Sequence, residues 1–568
     1  MNRRRKLIAA TCAVLLLCVL LAPLARLLSL GDHVLEQKQA AIARALEMEK
    51  ERTALPPHAP VQTAADIETI WAIEDARTET DAQLVLSMRC GADEMGYDAQ
   101  SRTFYATLGL NTGDEWPDIA LSAQGAENVQ VVWVDDYTYD WCAEAIREGY
   151  RYELLAYTDA EYAYIGVVFT GLPIVTLHTE GDIVMGSDVP GRATVAAAGY
   201  APVDAAMVAH ERGGGWAKVI DKWSYRLEFH GVGQNGKDEK KKLSVLGMEP
   251  DSDWLLLANA QDNTTVRNLL AWEIWNDWHE GDQGLMCMQS ELVELFVGDE
   301  YKGIYQLMER VKEEEEIARF GGDVHTDSVV RLISETNATR KPVWDLIDTD
   351  VDFRMEYRYE PKGNAARLFR LSQDYVALSR KDEALMLDDA AFEQTALERI
   401  DIGSLINYTL FFHACSLRDN IKNNVYLYLI KDEDGRQMIH HAPWDMDTAF
   451  WVKPPSESHD SLRWPDTSMI LASRMLDLDV GGCRKMLWDL WNEKKQTVLS
   501  DESLSARIME MEETVNASGA YLRETEKWYG GAQTLNLSEL EYYTLQCLNL
   551  VRLTIEDRWP VENMMLTR

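Results

Sequence analysis

Apolar residues change their spacing along this chain, and each change marks a different kind of structure. An unbroken apolar run from Leu7 to Ala22 follows Arg3, Arg4, Arg5 and Lys6. That run is shorter than the ~20 residues of a full helical span, although Pro23, Leu24 and Ala25 extend it. A basic segment followed by an apolar one predicts, over residues 1–30, an amino-terminal membrane anchor or a cleaved signal peptide, with later residues outside the cytoplasm. Residues 33–52 lack Gly and Pro and predict a helix with Leu35, Ile42 and Leu46 on one face. With the prolines at 56, 57 and 60, residues 31–60 read as a helical stalk, or a solvated juxtamembrane helix, and a linker.

From 61 to 170 the period shortens to two. FYATLGL from Phe104, VQVVWV from Val129 and YAYIGVVF from Tyr162 alternate between turns rich in Gly, Asp and Asn. This predicts a small β-sandwich-like domain without catalytic residues. From 171 to 568, strand-like runs dominate to about residue 310 and amphipathic helices after about 365. That succession predicts a two-lobed α+β unit. Glu313 to Glu316 read as a solvated helix face.

Composition refines the picture. The chain is 46% hydrophobic and 26% charged, as a globular protein should be. Ninety-four acids against fifty-six bases give a net charge of −38, which excludes nucleic acid and favours cationic partners and divalent metals. Six cysteines beyond the first segment are scattered without a CxxC pair, so a structural zinc site is not expected. Eighteen tryptophans would suit a glycan-active enzyme, but no motif accompanies them.

The chemistry concentrates in SLRDNIKNNVYLYLIKDEDGRQMIHHAPWDMDTAFW, from Ser416 to Trp451. Asp419 should lie in a loop after an apolar helix around Ile406 to Ala414, and Asn424 at the entry to a strand. A turn at Asp434-Gly435 leads into a second strand ending with Asp445 and Asp447, where alternation points both carboxylates the same way. The hairpin would set Asn424 beside Asp445. Such groups suit phosphoryl transfer, in which carboxylate and amide oxygens hold Mg²⁺ on a nucleotide while another carboxylate faces the acceptor hydroxyl. Asp-x4-Asn is the spacing of a protein-kinase catalytic loop, and Leu417-Arg418-Asp419 echoes its Arg-Asp step. His440 and His441 are adjacent on a strand, face opposite ways and should not chelate together. Trp444 and Phe450 read as packing residues.

Four further stretches occur in order: Arg212-Gly213-Gly214-Gly215, DKWSYRLEF from Asp221, DWLLLANAQDNTTVRN from Asp253 and LFVGDEYKGIYQLMERV from Leu295. Together with NVYLYLI and PWDMD they resemble the CotH family, atypical kinases first associated with spore coats and also found as cell-surface proteins. The resemblance covers roughly residues 170–565. It implies an atypical kinase domain over 171–568 using ATP with Mg²⁺ or Mn²⁺. Asp419 would be catalytic, and Asn424, Asp445 and Asp447 would hold metal. Arg212, Gly213, Gly214, Gly215, Lys222 and Glu309 would contact the nucleotide. Each of the last two has a plain alternative, a surface lysine and a strand-end ion pair. Asp262 and Arg267-Asn268 serve equally well as a helix start or a site.

The chain departs from the family where Trp216 follows the glycines in place of the common serine, and where Trp223 replaces a frequent second lysine. These changes bear on phosphate contact. The function expected is an extracytoplasmic Ser/Thr protein kinase acting on a surface or coat protein, with the acidic field favouring a Lys/Arg-rich one. The alternative is a non-catalytic surface or coat protein on the same fold.

Overall fold

A computed structural model describes residues 34–51, 57–63, 65–110, 115–134, 141–213, 215–233, 235–279, 284–334, 351, 353–361, 365–417, 419–421, 423–450 and 469–566. The amino-terminal apolar run lies outside these residues. No helix among those described is long and apolar enough to cross a membrane.

The fold is mixed α+β. Residues 57–170 form two sheets, as the alternating pattern predicts. One has four strands in the order Ala59–Pro60, Leu121–Gly125, Val85–Cys90, Asp93–Glu94. The other has the path Gly96–Asp98, Thr103–Thr107, Glu161–Thr170, Arg151–Tyr157, Gln130–Trp133, with Thr78–Glu79 paired to Glu161–Thr170. Met88 and Leu121 from the first and Phe104, Leu154 and Val167 from the second share one apolar core.

The next seven long strands close on themselves. Their order is Val203–Arg212, Val189–Ala196, Ile174–Thr179, Ser290–Val297, Glu300–Glu309, Asp253–Leu257, Ser224–Val232, and the last pairs back with the first. Closure leaves no open edge in the ring. One face of each strand fills the interior, where Ala193, Ala205 and Ala209 make room for Phe229, Trp254 and Tyr305. The opposite face of two strands carries Leu255, Leu257, Ile304 and Met308 into the main helical core.

The helix at 34–51 is present, but it is not a free stalk. Ala41, Ile42, Ala45 and Leu46 are buried against Ala206 and Val208 on the outside of the ring. Lys38 Nζ donates to Glu228 Oε2 at 2.9 Å, and Arg44 Nε to Glu180 at 2.9 Å. Leu35, expected on the same face, is exposed. The acidic run also departs from expectation in part, because Glu313 accepts from Arg358 Nε at 2.9 Å and Glu316 from Met286 N at 2.9 Å.

The carboxy-terminal half is helical around an antiparallel sheet in the order Phe353–Tyr359, Ser328–Ser334, Val425–Lys431, Gln437–Pro443. Helix Ile402–Ala414 starts at Asp401, whose carboxylate accepts from Ser404 N at 2.7 Å. It is almost wholly buried beside this sheet, and its end aims the chain at the residue 419 loop. Among the described residues no disulfide forms, and Cys415 and Cys483 are buried.

Candidate active site

The hairpin Val425–Lys431 and Gln437–Pro443 brings its two open ends together. Trp444 N donates to Asn424 O at 3.0 Å. Asn420 seals the junction from below, donating its amide to Trp444 O at 2.6 Å and to Asn424 O at 3.2 Å. Tyr408 of the buried helix donates its hydroxyl to Asn420 O at 2.6 Å. Asn424 and Asp445 both take the left-handed backbone, with φ of 57° each. Asn and Asp are the residues that tolerate this conformation best after glycine. Asn424 therefore stands beside Asp445, as the hairpin predicts. The strand, however, stops at Pro443, so Asp445 and Asp447 are turn residues and strand alternation does not align them.

Asp419 is exposed, and its Oδ2 accepts from Asn423 Nδ2 at 2.8 Å and Asn424 Nδ2 at 3.0 Å. With its amide nitrogen donating there, Asn424 presents its amide oxygen as an acceptor. Asp447 accepts from Gln261 Nε2 at 3.0 Å. Burial raises the Asp447 carboxyl well above the usual carboxylate range, and Asp445, Asp262 and Asp419 raise it further. Burial also raises Asp445, opposed by Arg212 and Arg331. These four carboxylates thus share one electrostatic neighbourhood.

Arg212 ends its barrel strand over Trp444, with its guanidinium 5.9 Å from the ring centroid. Burial lowers its proton affinity, and Asp445 opposes that. Its Nη1 is buried with no hydrogen-bond partner. Gly213, at φ 129°, has a conformation suited to glycine. Gly214 lies outside the described residues. Gly215 is not part of an open phosphate loop, because it begins the short helix Gly215–Ile220.

Arg267 and Asn268, at the start of helix Arg267–Trp278, hold the aspartate loop from behind. Arg267 Nη1 donates to Phe450 O at 2.5 Å and Ala449 O at 3.2 Å, and Met446 N donates to Asn268 Oδ1 at 2.9 Å. Asn268 Nδ2 in turn donates to Gln306 Oε1 at 2.8 Å in the barrel. Asp262 is the helix's anchor, accepting from Arg267 N at 2.9 Å and Thr264 N at 2.9 Å.

Two expected nucleotide contacts sit elsewhere. Lys222 is neither at the surface nor presented to a ligand. Its Nζ, 2% exposed as a residue, donates to Glu524 Oε1 at 2.6 Å and Ile304 O at 2.9 Å. A strand lysine paired with a helix glutamate is a kinase arrangement, but here both ends are closed from solvent. Glu309 accepts from Gln289 N at 2.8 Å, and the acids acting on it are Asp251 and Glu316, not Asp445. His440 and His441 do face apart: His440 packs on Phe320, and His441 Nε2 lies 3.2 Å from Tyr375 Oη.

Glu524, Gln261, Asn423 and Arg331 were not legible as site residues. Glu524, Gln261 and Arg331 are joined to the site by folding rather than by a local motif, Glu524 being 302 positions from Lys222, whereas Asn423 lies within the Asp419–Asn424 stretch itself.

Among the described residues, no three His, Cys, Asp or Glu side chains form a ready metal cage. Two carboxylates and an amide oxygen are nevertheless the share that Mg²⁺ takes from a protein when nucleotide phosphates supply the rest. The raised carboxyls of Asp445 and Asp447 mark negative charge that a cation would relieve. The donor set fits. Asp447→Asn should therefore raise the melting temperature slightly, because it removes a carboxyl whose charge burial disfavours, while weakening metal-dependent nucleotide binding. Thermal unfolding checks this, and a lowered melting temperature would assign the carboxylate a structural role.

No curated protein matches the chain. A family model described as CotH kinase protein matches residues 210–544, from Arg212's neighbourhood through the aspartate loop to the helices behind it. The chain belongs to the CotH kinase protein family.

Proposed function

We propose that this protein is an extracytoplasmic atypical Ser/Thr protein kinase that transfers the ATP γ-phosphate to a hydroxyl of a surface or spore-coat protein. The supporting observation is one junction that gathers an exposed, amide-held Asp419, the Asn424 amide oxygen and the buried carboxyls of Asp445 and Asp447. Asp419 would accept the hydrogen of the acceptor hydroxyl and aim its oxygen at phosphorus. Asn424, Asp445 and Asp447 would hold Mg²⁺ or Mn²⁺, which when bound supplies charge neutralisation on the phosphates. Arg212, with an unclaimed N–H, and the backbone at Gly213 would take phosphate oxygens. The field of a chain at −38 favours a Lys/Arg-rich acceptor protein.

ATP should accordingly bind only with a divalent ion, because nucleotide phosphates would otherwise meet uncompensated carboxylates. Calorimetry with ATP, with and without Mg²⁺ or Mn²⁺, checks this. Equal binding in chelator would contradict it.

The amino-terminal basic and apolar run supports a single anchor, or a cleaved signal, with the catalytic part outside. A fusion at residue 60 should be active only with an export-dependent reporter. A non-catalytic surface or coat protein is the second reading, favoured by the sequestration of Lys222 with Glu524.

A further inference from the structure

A cavity of about 820 Å³ lies between the amino-terminal sheets and the barrel, apart from the aspartate junction. Its size is that of a small-molecule site. Both units line it: Arg89, Glu94, Tyr97 and Phe104 from the sheets, Thr176, His178 and Arg192 from the barrel.

The hydrogen-bonding account of this cavity does not close. Glu94 is fully engaged by the barrel. Arg192 Nη2 and Nη1 donate to its two oxygens at 2.7 and 2.9 Å, and His178 Nε2 lies 2.7 Å away. Burial would raise the Glu94 carboxyl, but His178 and Arg192 prevail and hold it below the usual range. Arg192 spends its remaining reach on Asp204 at 3.2 Å.

Arg89 stands directly across the strand pair from Glu94, yet this acid is taken. Its Nε is buried without an acceptor. Thr176, 2% exposed, also has a buried hydroxyl without a partner. Each unmet group of this kind is costly unless something else satisfies it. A guanidinium has donors only, so the missing groups at Arg89 are acceptors. The lining carries two arginines, Arg89 and Arg192, and two acids, Glu94 and Asp299. The cavity is thus close to neutral in a chain of net charge −38, a local refuge for an anion. Tyr97 and Phe104, with ring centroids 4.5 Å apart, add an aromatic wall.

We propose that this cavity binds a small organic oxyanion with a flat apolar body, its carboxylate or phosphate on Arg89 and Thr176 and its body along Tyr97 and Phe104. Such a ligand would tie the amino-terminal sheets to the barrel and stabilise their contact. The site is independent of the phosphotransfer reading.

The test uses the full-length protein with benzoate, phenyl phosphate and, as uncharged control, benzamide. Calorimetry and thermal unfolding are read up to roughly 10 mM, within reach for a ligand of this size. Benzoate or phenyl phosphate should bind and raise the melting temperature, and which of them binds more tightly identifies the anion; benzamide should not. Arg89→Gln should weaken binding at least about tenfold, the scale of a charge-assisted hydrogen bond. Asp419→Asn should leave it unchanged. Failure of both anions to bind, or equal binding by Arg89→Gln, would overturn the proposal. If Arg89→Gln alters unfolding without ligand, Thr176→Val decides, being matched in shape: undiminished affinity there would also overturn it.

Discussion

Asp419→Asn is expected to cut phosphotransfer by ~10²–10⁴-fold, the usual contribution of a positioned acid–base group, with fold and nucleotide affinity preserved. The exchange keeps an oxygen that can accept from Asn423 and Asn424, so the loop geometry should persist. What is lost is the carboxylate facing the acceptor hydroxyl. Steady-state transfer from ATP, with circular dichroism and ATP titration alongside, separates the two effects. Full transfer by a folded variant would remove Asp419 from the chemistry.

Lys222→Met is expected to destabilise the protein by about 3–5 kcal/mol, the cost of stripping one partner from a buried ion pair. Glu524 is fully buried, and without Lys222 it keeps only the Ile304 N–H at 2.8 Å among the described hydrogen bonds. Chemical denaturation measures this loss. Pairing the change with Glu524→Met should recover part of it, because no unpaired charge then remains. If Lys222 instead served a nucleotide, the single variant would hold its stability and lose ATP affinity.

These two residues show what the sequence could and could not say. Asp419, Asn424 and Asp445 were legible because one short hairpin joins them, and a hairpin's geometry is local. The expected alignment of Asp447 rests on strand alternation, which ends at Pro443; electrostatics, not pleat, joins it to Asp445. Lys222 looked like a surface or ligand lysine because its partner comes from helix Ala520–Tyr529, far along the chain. That helix is a brace: Arg523 also pairs with Glu294 at 2.8 Å, and Trp528 donates to Lys302 O at 3.1 Å.

The strand content of the central region was equally legible, but its closure was not. Pairing of Val203–Arg212 with Ser224–Val232 is a matter of register and twist, which hydrophobic period does not encode. The helix at 34–51 was placed correctly by composition and misread in role. Its buried face is only two turns of Ala41, Ile42, Ala45 and Leu46, too little to distinguish a cover from a stalk. A shortened protein should therefore begin before residue 34, since starting at 60 would bare Ala206 and Val208.

Transfer of label from γ-labelled ATP by the full-length protein, with Mg²⁺ or Mn²⁺ and beside Asp445→Asn, tests the central claim most directly. Wild-type protein should label itself or a Lys/Arg-rich acceptor in a metal-dependent way. Asp445→Asn, with one ligand charge removed, should fall to background and lose affinity for metal–ATP. Absence of nucleotide binding and transfer by folded wild-type protein with either metal, or equal transfer by Asp445→Asn, would contradict the account; the first result would leave the non-catalytic surface protein as the better description.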